Sequence, residues 1–150
     1  MGYNTELYIA PRSALQKIAD TPAATFPCAE GRLNYLTDTA LSRLQALIDG
    51  VTEWGQAFDA VAIEFEDEDY AESSSNDGGW SRIVPDRFVR SFAALTDADI
   101  ERLTATWSDP DTHSGRQLLS SEGSAMIREV RALASRAIGE NSCLVFCTRE

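Results

Sequence analysis

At 150 residues the chain is long enough to bury roughly two thirds of its unfolded surface in one core, so one domain is the simplest organisation. Its 43% hydrophobic and 25% charged residues are those of a folded globular protein, without the low hydrophobicity that marks disorder. A formal charge of −11, from 24 acidic and 13 basic residues, argues against nucleic acid and anionic membrane as direct ligands, since both are held by Lys and Arg; it favours a basic protein partner, or serves solubility alone.

The first expected element is a strand, residues 3–9, whose Tyr3, Thr5, Leu7 and Ile9 share a face; Pro11 then suits the first turn of a helix carrying Leu15, Ile18 and Ala19. Residues 20–35, with Pro22, Pro27 and Gly31, read as a loop. Leu41, Leu44, Ile48 and Val51 recur at i, i+3, i+7 and i+10, the stripe of an amphipathic helix that begins near Thr37 or Asp38 and weakens at Gly50. After Trp54 and Phe58 the pattern changes. Val61, Ile63 and Phe65 alternate with Ala62, Glu64 and Glu66, which predicts a half-buried strand with an acidic outer face. Small polar residues and two glycines from Ser73 to Gly79 complete a flexible acidic, Ser- and Gly-rich loop at about residues 67–79. Ile83 and Val84 make a short extended piece before Pro85.

Phe88, Phe92 and Leu95 mark a helix at i, i+4 and i+7. Thr96 is the expected N-cap of the next, with Asp97 and Asp99 near its positive end, Leu95 and Ile100 placed as a hydrophobic staple, and Ile100, Leu103 and Trp107 buried before Pro110. Met126, Val130, Leu133, Ala134 and Ala137 define a last long helix, with Gly139 suited to its C-terminal cap. The apolar run from Cys143 to Cys147 reads as a strand buried on both faces. Together these predict a single α+β domain over residues 1–150, with about five helices packed on a small sheet of about three strands and the last strand central.

The N-terminus has no cationic region followed by an apolar stretch, and no apolar run approaches a membrane span, so neither a signal peptide nor a membrane anchor is expected. Three cysteines do not make a disulfide framework, and a reducing cytoplasm is the expected compartment. On a strand Cys143 and Cys147 share a face about 13 Å apart, too far to bridge; with Cys28 and His113 they make a poor zinc set.

His113 is the only histidine, which rules out relays of two histidines within one subunit; its polar surroundings, Ser108 to Gly115, read as an exposed loop. The acidic segment starting at Asp67 fails as an EF-hand, because Glu72 stands where the turn glycine belongs and Gly78 where the bidentate glutamate belongs. A hydrolase working through two of Glu64, Glu66, Asp67 and Asp69, or through a divalent metal they hold, is the alternative class. The serine-hydrolase, P-loop and dinucleotide-binding signatures are all missing, so no cofactor and no catalytic residue is assigned.

What stands out is the acidic stretch itself. From Asp59 to Asp77 there are eight acidic residues and no basic one. On a continuing strand Glu64, Glu66 and Glu68 would line one face at intervals of about 6.8 Å. With Asp67, Asp69, Tyr70, Glu72, Asp77 and Trp80 they form the candidate partner-binding set, the aromatics serving as anchors against an Arg- or Lys-rich surface. A small acidic chain of this kind resembles, in general character, bacterial immunity proteins of polymorphic toxin systems. The resemblance implies a protein that blocks a basic cognate toxin; an acidic mimic of nucleic acid, inhibiting a nucleic-acid-binding protein, is a further alternative. The segment Ile83 to Leu103, followed by Trp107, is similar to a helical pair in small bacterial proteins and carries no assignable activity. No functional residue transfers from either likeness.

Overall fold

In the computed structural model, which describes residues 4–11, 36–66, 70–72, 80–113 and 115–149, nine elements follow one another. They are β1 (Asn4–Pro11), α1 (Asp38–Ile48), α2 (Gln56–Glu66), β2 (Tyr70–Glu72), β3 (Trp80–Ile83), α3 (Asp86–Ala93), α4 (Asp97–Trp107), α5 (Ser120–Gly139) and β4 (Ser142–Arg149). The strands form one antiparallel sheet in the order β1-β4-β3-β2, an α+β architecture with the last strand in the interior.

The sheet is built on β4. Leu7 pairs with Phe146 and Ile9 with Leu144, so these four side chains share the face that meets the helices and join Phe65, Phe88, Ile127 and Val130 in one core. Ala10, Cys143, Val145 and Ile83 alternate onto the other face and are buried as well, at 7% exposure or less. Burial of consecutive residues explains why β4 reads as unbroken hydrophobic sequence. Cys143 is buried within it, 2% exposed.

Capping sets the helix starts. Thr37 Oγ1 accepts from the Ala40 amide at the head of α1. Thr96 and Asp99 exchange side-chain-to-backbone bonds of 3.1 and 2.9 Å in a capping box before α4, with Leu95 and Ile100 both buried across that turn. At the far end of α5 the positive φ of 51° falls on Asn141, two residues beyond Gly139, which is still helical. No helix among the described residues is long and apolar enough to cross a membrane.

Four expectations need correction. Pro11 closes β1 instead of opening a helix, and the helix expected around Leu15 and Ile18 lies outside the described residues. Residues 60–66 belong to the helix α2, not a strand: Phe58, Val61 and Phe65, at i, i+3 and i+7, are buried, whereas Ile63 is 52% exposed. The expected loop at 67–79 contains β2, paired with β3 in a hairpin. Finally, α1 is not amphipathic in its setting, being buried on every side from Ala40 to Leu47, with Ser42, Arg43 and Gln45 included.

Candidate functional site

Between Arg43 and Arg82 the sequence has no basic residue, so whatever surface this span presents is built without positive charge. Its described core is α2 and the loop before it. Three aromatic or aliphatic residues of one helical stripe pin α2 to the core, with Phe65 stacked on Phe88 at 5.8 Å and edge-on to Phe146 at 6.2 Å. That leaves Asp59 and Ile63, one turn apart, on the outer face. Just before α2, Trp54 is 38% exposed with its ring edge-on to the buried Phe58 at 4.6 Å. Exposed Trp54 and Ile63 beside Asp59 and Glu53 combine apolar anchors with negative charge.

Helical geometry redistributes the acidic residues. Positions 64 and 66 of a helix point about 200° apart, so the single acidic strand face of Glu64, Glu66 and Glu68 does not exist. Glu64 instead reaches α3, where the Arg87 guanidinium donates to it twice, from Nε at 2.7 Å and Nη2 at 2.6 Å, while Nη1 donates to Asp49 at 3.0 and 3.1 Å. The Arg87 hydrogen bonds hold the Glu64 carboxyl below its usual range, and the carboxylates in turn raise the guanidinium. Glu64 is thus a structural tie between α2 and α3. Glu66 ends α2; Tyr70 and Glu72 lie in β2, where Glu72 pairs with Trp80 and Tyr70 with Arg82 in β3. The backbone therefore brings Tyr70, Glu72 and Trp80 together in one hairpin at the sheet edge. Asp67, Glu68, Asp69 and Asp77 lie outside the described residues.

Beneath the loop sits a residue that sequence reasoning missed. Arg43 is 2% exposed; its Nη2 donates to the Thr52 carbonyl at 2.6 Å, and the Trp54 ring covers its guanidinium at 4.5 Å. Its Nε and Nη1 have no hydrogen-bond partner among the described residues. An arginine one position before Leu44, in the middle of a helical apolar stripe, is ordinary in sequence, and only the burial of both flanks of α1 makes it unusual.

His113 is not in an exposed loop. It is 1% exposed, its Nε2–H donates to the Trp107 carbonyl at 2.8 Å, and its ring stands edge-on to Trp107 at 4.5 Å. Burial pushes the imidazole below its ordinary range. Trp107 Nε1 in turn donates to the Ala40 carbonyl at 2.9 Å, so the histidine braces the α4 end against α1. Among the described residues no three His, Cys, Asp or Glu side chains gather where they could hold a metal ion. The chain matches no family model, no curated protein and no solved structure.

Proposed function

We propose that the chain is an inhibitory protein-binding domain, which covers a basic site on a protein partner in the manner of an immunity protein covering its toxin. The observation that carries this reading is the span from Leu44 to Ser81, which holds no lysine or arginine and whose described outer face offers Asp59, Ile63 and Trp54 to solvent. Tryptophan is the residue most often found at energetic centres of interfaces, and here the Arg43 and Phe58 contacts hold it in place before any partner arrives. Uncompensated carboxylates around such an anchor steer a basic surface toward it and raise the association rate at low salt.

The partner to test first is the product of an adjacent toxin-like gene. Reversing Asp59, Glu66 and Glu72 to Lys together, with Glu64 left to its structural pairing, should slow association with that protein at least tenfold and flatten its salt dependence. An association rate that is insensitive both to salt and to these reversals sinks the proposal.

A further inference from the structure

Beyond the outer surface, we infer that Arg43 is the receptor for a small oxyanion, a carboxylate or a phosphate, and that the loop from Gly50 to Gly55 is the lid over it. The argument begins with charge. Among the described residues Arg43 is the one buried Arg, Lys, Asp or Glu, and it has no carboxylate partner. Several other arginines are matched: Arg87 with Glu64 and Asp49, Arg116 with Glu122, Arg128 and Arg131 with Asp97. A guanidinium keeps its charge when buried and costs free energy there unless an anion and hydrogen-bond acceptors meet it. One neutral carbonyl and one aromatic face meet Arg43, while Nε and Nη1, which carry most of its N–H groups, face no acceptor. A guanidinium with donors left over on both sides of its plane edge can take the oxygens of a carboxylate or phosphate through charge-assisted hydrogen bonds. The neighbouring Glu53 does not supply it, since its side chain is exposed and makes no ion pair with Arg43.

The covering loop is bounded by two glycines. Its ends, Gly50 at φ 87° and Gly55 at φ 151°, take backbone conformations that side chains disfavour, and nothing lies within 4 Å of where a Cβ would stand on either. The loop's first residue is tied to α1 by the Val51 amide on the Ala46 carbonyl at 2.8 Å. Thr52 and Trp54, by contrast, are held by Arg43 itself, through the carbonyl and the ring, with Phe58 as the second ring contact. An entering oxyanion would therefore meet the unfilled Nε and Nη1 donors and, as a charge-assisted acceptor, compete with the Thr52 carbonyl and the Trp54 ring for the guanidinium, loosening their hold on the loop.

The test compares thermal melts of the whole chain in sodium phosphate, sodium acetate and sodium chloride at matched ionic strength. The receptor predicts a saturable rise of about 5–10 °C at a hundredfold excess over the half-saturating concentration, in the phosphate arm, the acetate arm or both, which identifies the oxyanion it takes. Arg43→Met should abolish the rise. Trp54→Ala, which strips the covering ring and its cation–π contact but keeps the Arg43 donors, should lower the half-saturating concentration, and oxyanion addition should change tryptophan emission in the native chain but not in Trp54→Phe. No rise over chloride, or an equal rise in Arg43→Met, overturns the receptor; should Arg43→Met not fold, a half-saturating concentration that fails to fall in Trp54→Ala overturns it instead.

Discussion

Replacing Ile63 by Gln and Phe65 by Ala, one at a time, separates the two geometries open to residues 60–66. On a strand the two side chains share the buried face and their losses are comparable. On α2 they diverge. Ile63 is 52% exposed, so about half of the roughly 1.5–3 kcal/mol that full burial of an aliphatic side chain contributes is at stake, near 1 kcal/mol, and the better helix propensity of Gln returns about 0.2 kcal/mol of it. Phe65 is 0% exposed and meets the Phe88 and Phe146 rings, which places its truncation at about 3–5 kcal/mol. Urea unfolding followed by circular dichroism measures both, with an unchanged denaturant slope as the sign that only stability has moved. Equal losses at the two positions would refute the helical assignment of the face. The same Ile63→Gln protein, folded and nearly as stable as its parent, should bind a basic partner about tenfold more weakly if that face is the docking surface.

Three further outcomes follow from the packing. The folded-state pKa of His113 lies below 6.5, so between that value and 6.5 the unfolded chain binds the proton more readily; stability is complete above about pH 6.5 and declines as the pH falls beneath it. Comparing urea midpoints of the parent and His113→Gln from pH 7.5 to 5 should show a shallower decline in the variant, and identical slopes would count against the buried imidazole. In a double-mutant cycle with Glu64→Gln and Arg87→Met the coupling should be about 0.5–1 kcal/mol at low salt and smaller at high salt, because both partners are more than a third exposed; it should fade as the pH drops below the ordinary glutamate range, where Glu64 takes up its proton. A Cβ on Gly123 would fall on Ser108 Oγ, a buried hydroxyl without a partner among the described residues, so Gly123→Ala should destabilise the parent but raise the melting temperature of Ser108→Ala, where the hydroxyl is gone and the gain in helix propensity remains. Destabilisation of equal size in both backgrounds would show that Ser108 is not the obstacle.

The elements most legible in the sequence are those where one physical signal acts unopposed. Thr96 with Asp99, the stripe of Ile100, Leu103 and Trp107, and the apolar run of β4 each allow one local structure, and each is found. Residues 60–66 carried two signals. Val61, Ile63 and Phe65 satisfy a period of two, while Phe58, Val61 and Phe65 satisfy the helical period, and the partners that decided between them, Phe88 and Phe146, lie more than twenty residues away. That choice carried the candidate site with it, because a shift from strand to helix turned Glu64 from a partner's ligand into the ligand of Arg87. Arg43 and His113 were illegible for a related reason. Polar residues gain significance through what encloses them, and enclosure depends on the whole fold.

The place of β4 also orders the birth of the fold on the ribosome. Since β1 and β3 meet only through β4, neither long edge of that strand can zip until residues 142–149 have emerged, and the N-terminal strand must wait for a partner more than a hundred residues downstream. During synthesis the apolar side chains of β1, Leu7 and Ile9, lack the neighbours Phe146 and Leu144 that complete their face. Truncation inside β4 would make that interval permanent, with unpaired strand edges as a seed for aggregation. Assembly of the sheet is thereby keyed to the arrival of β4.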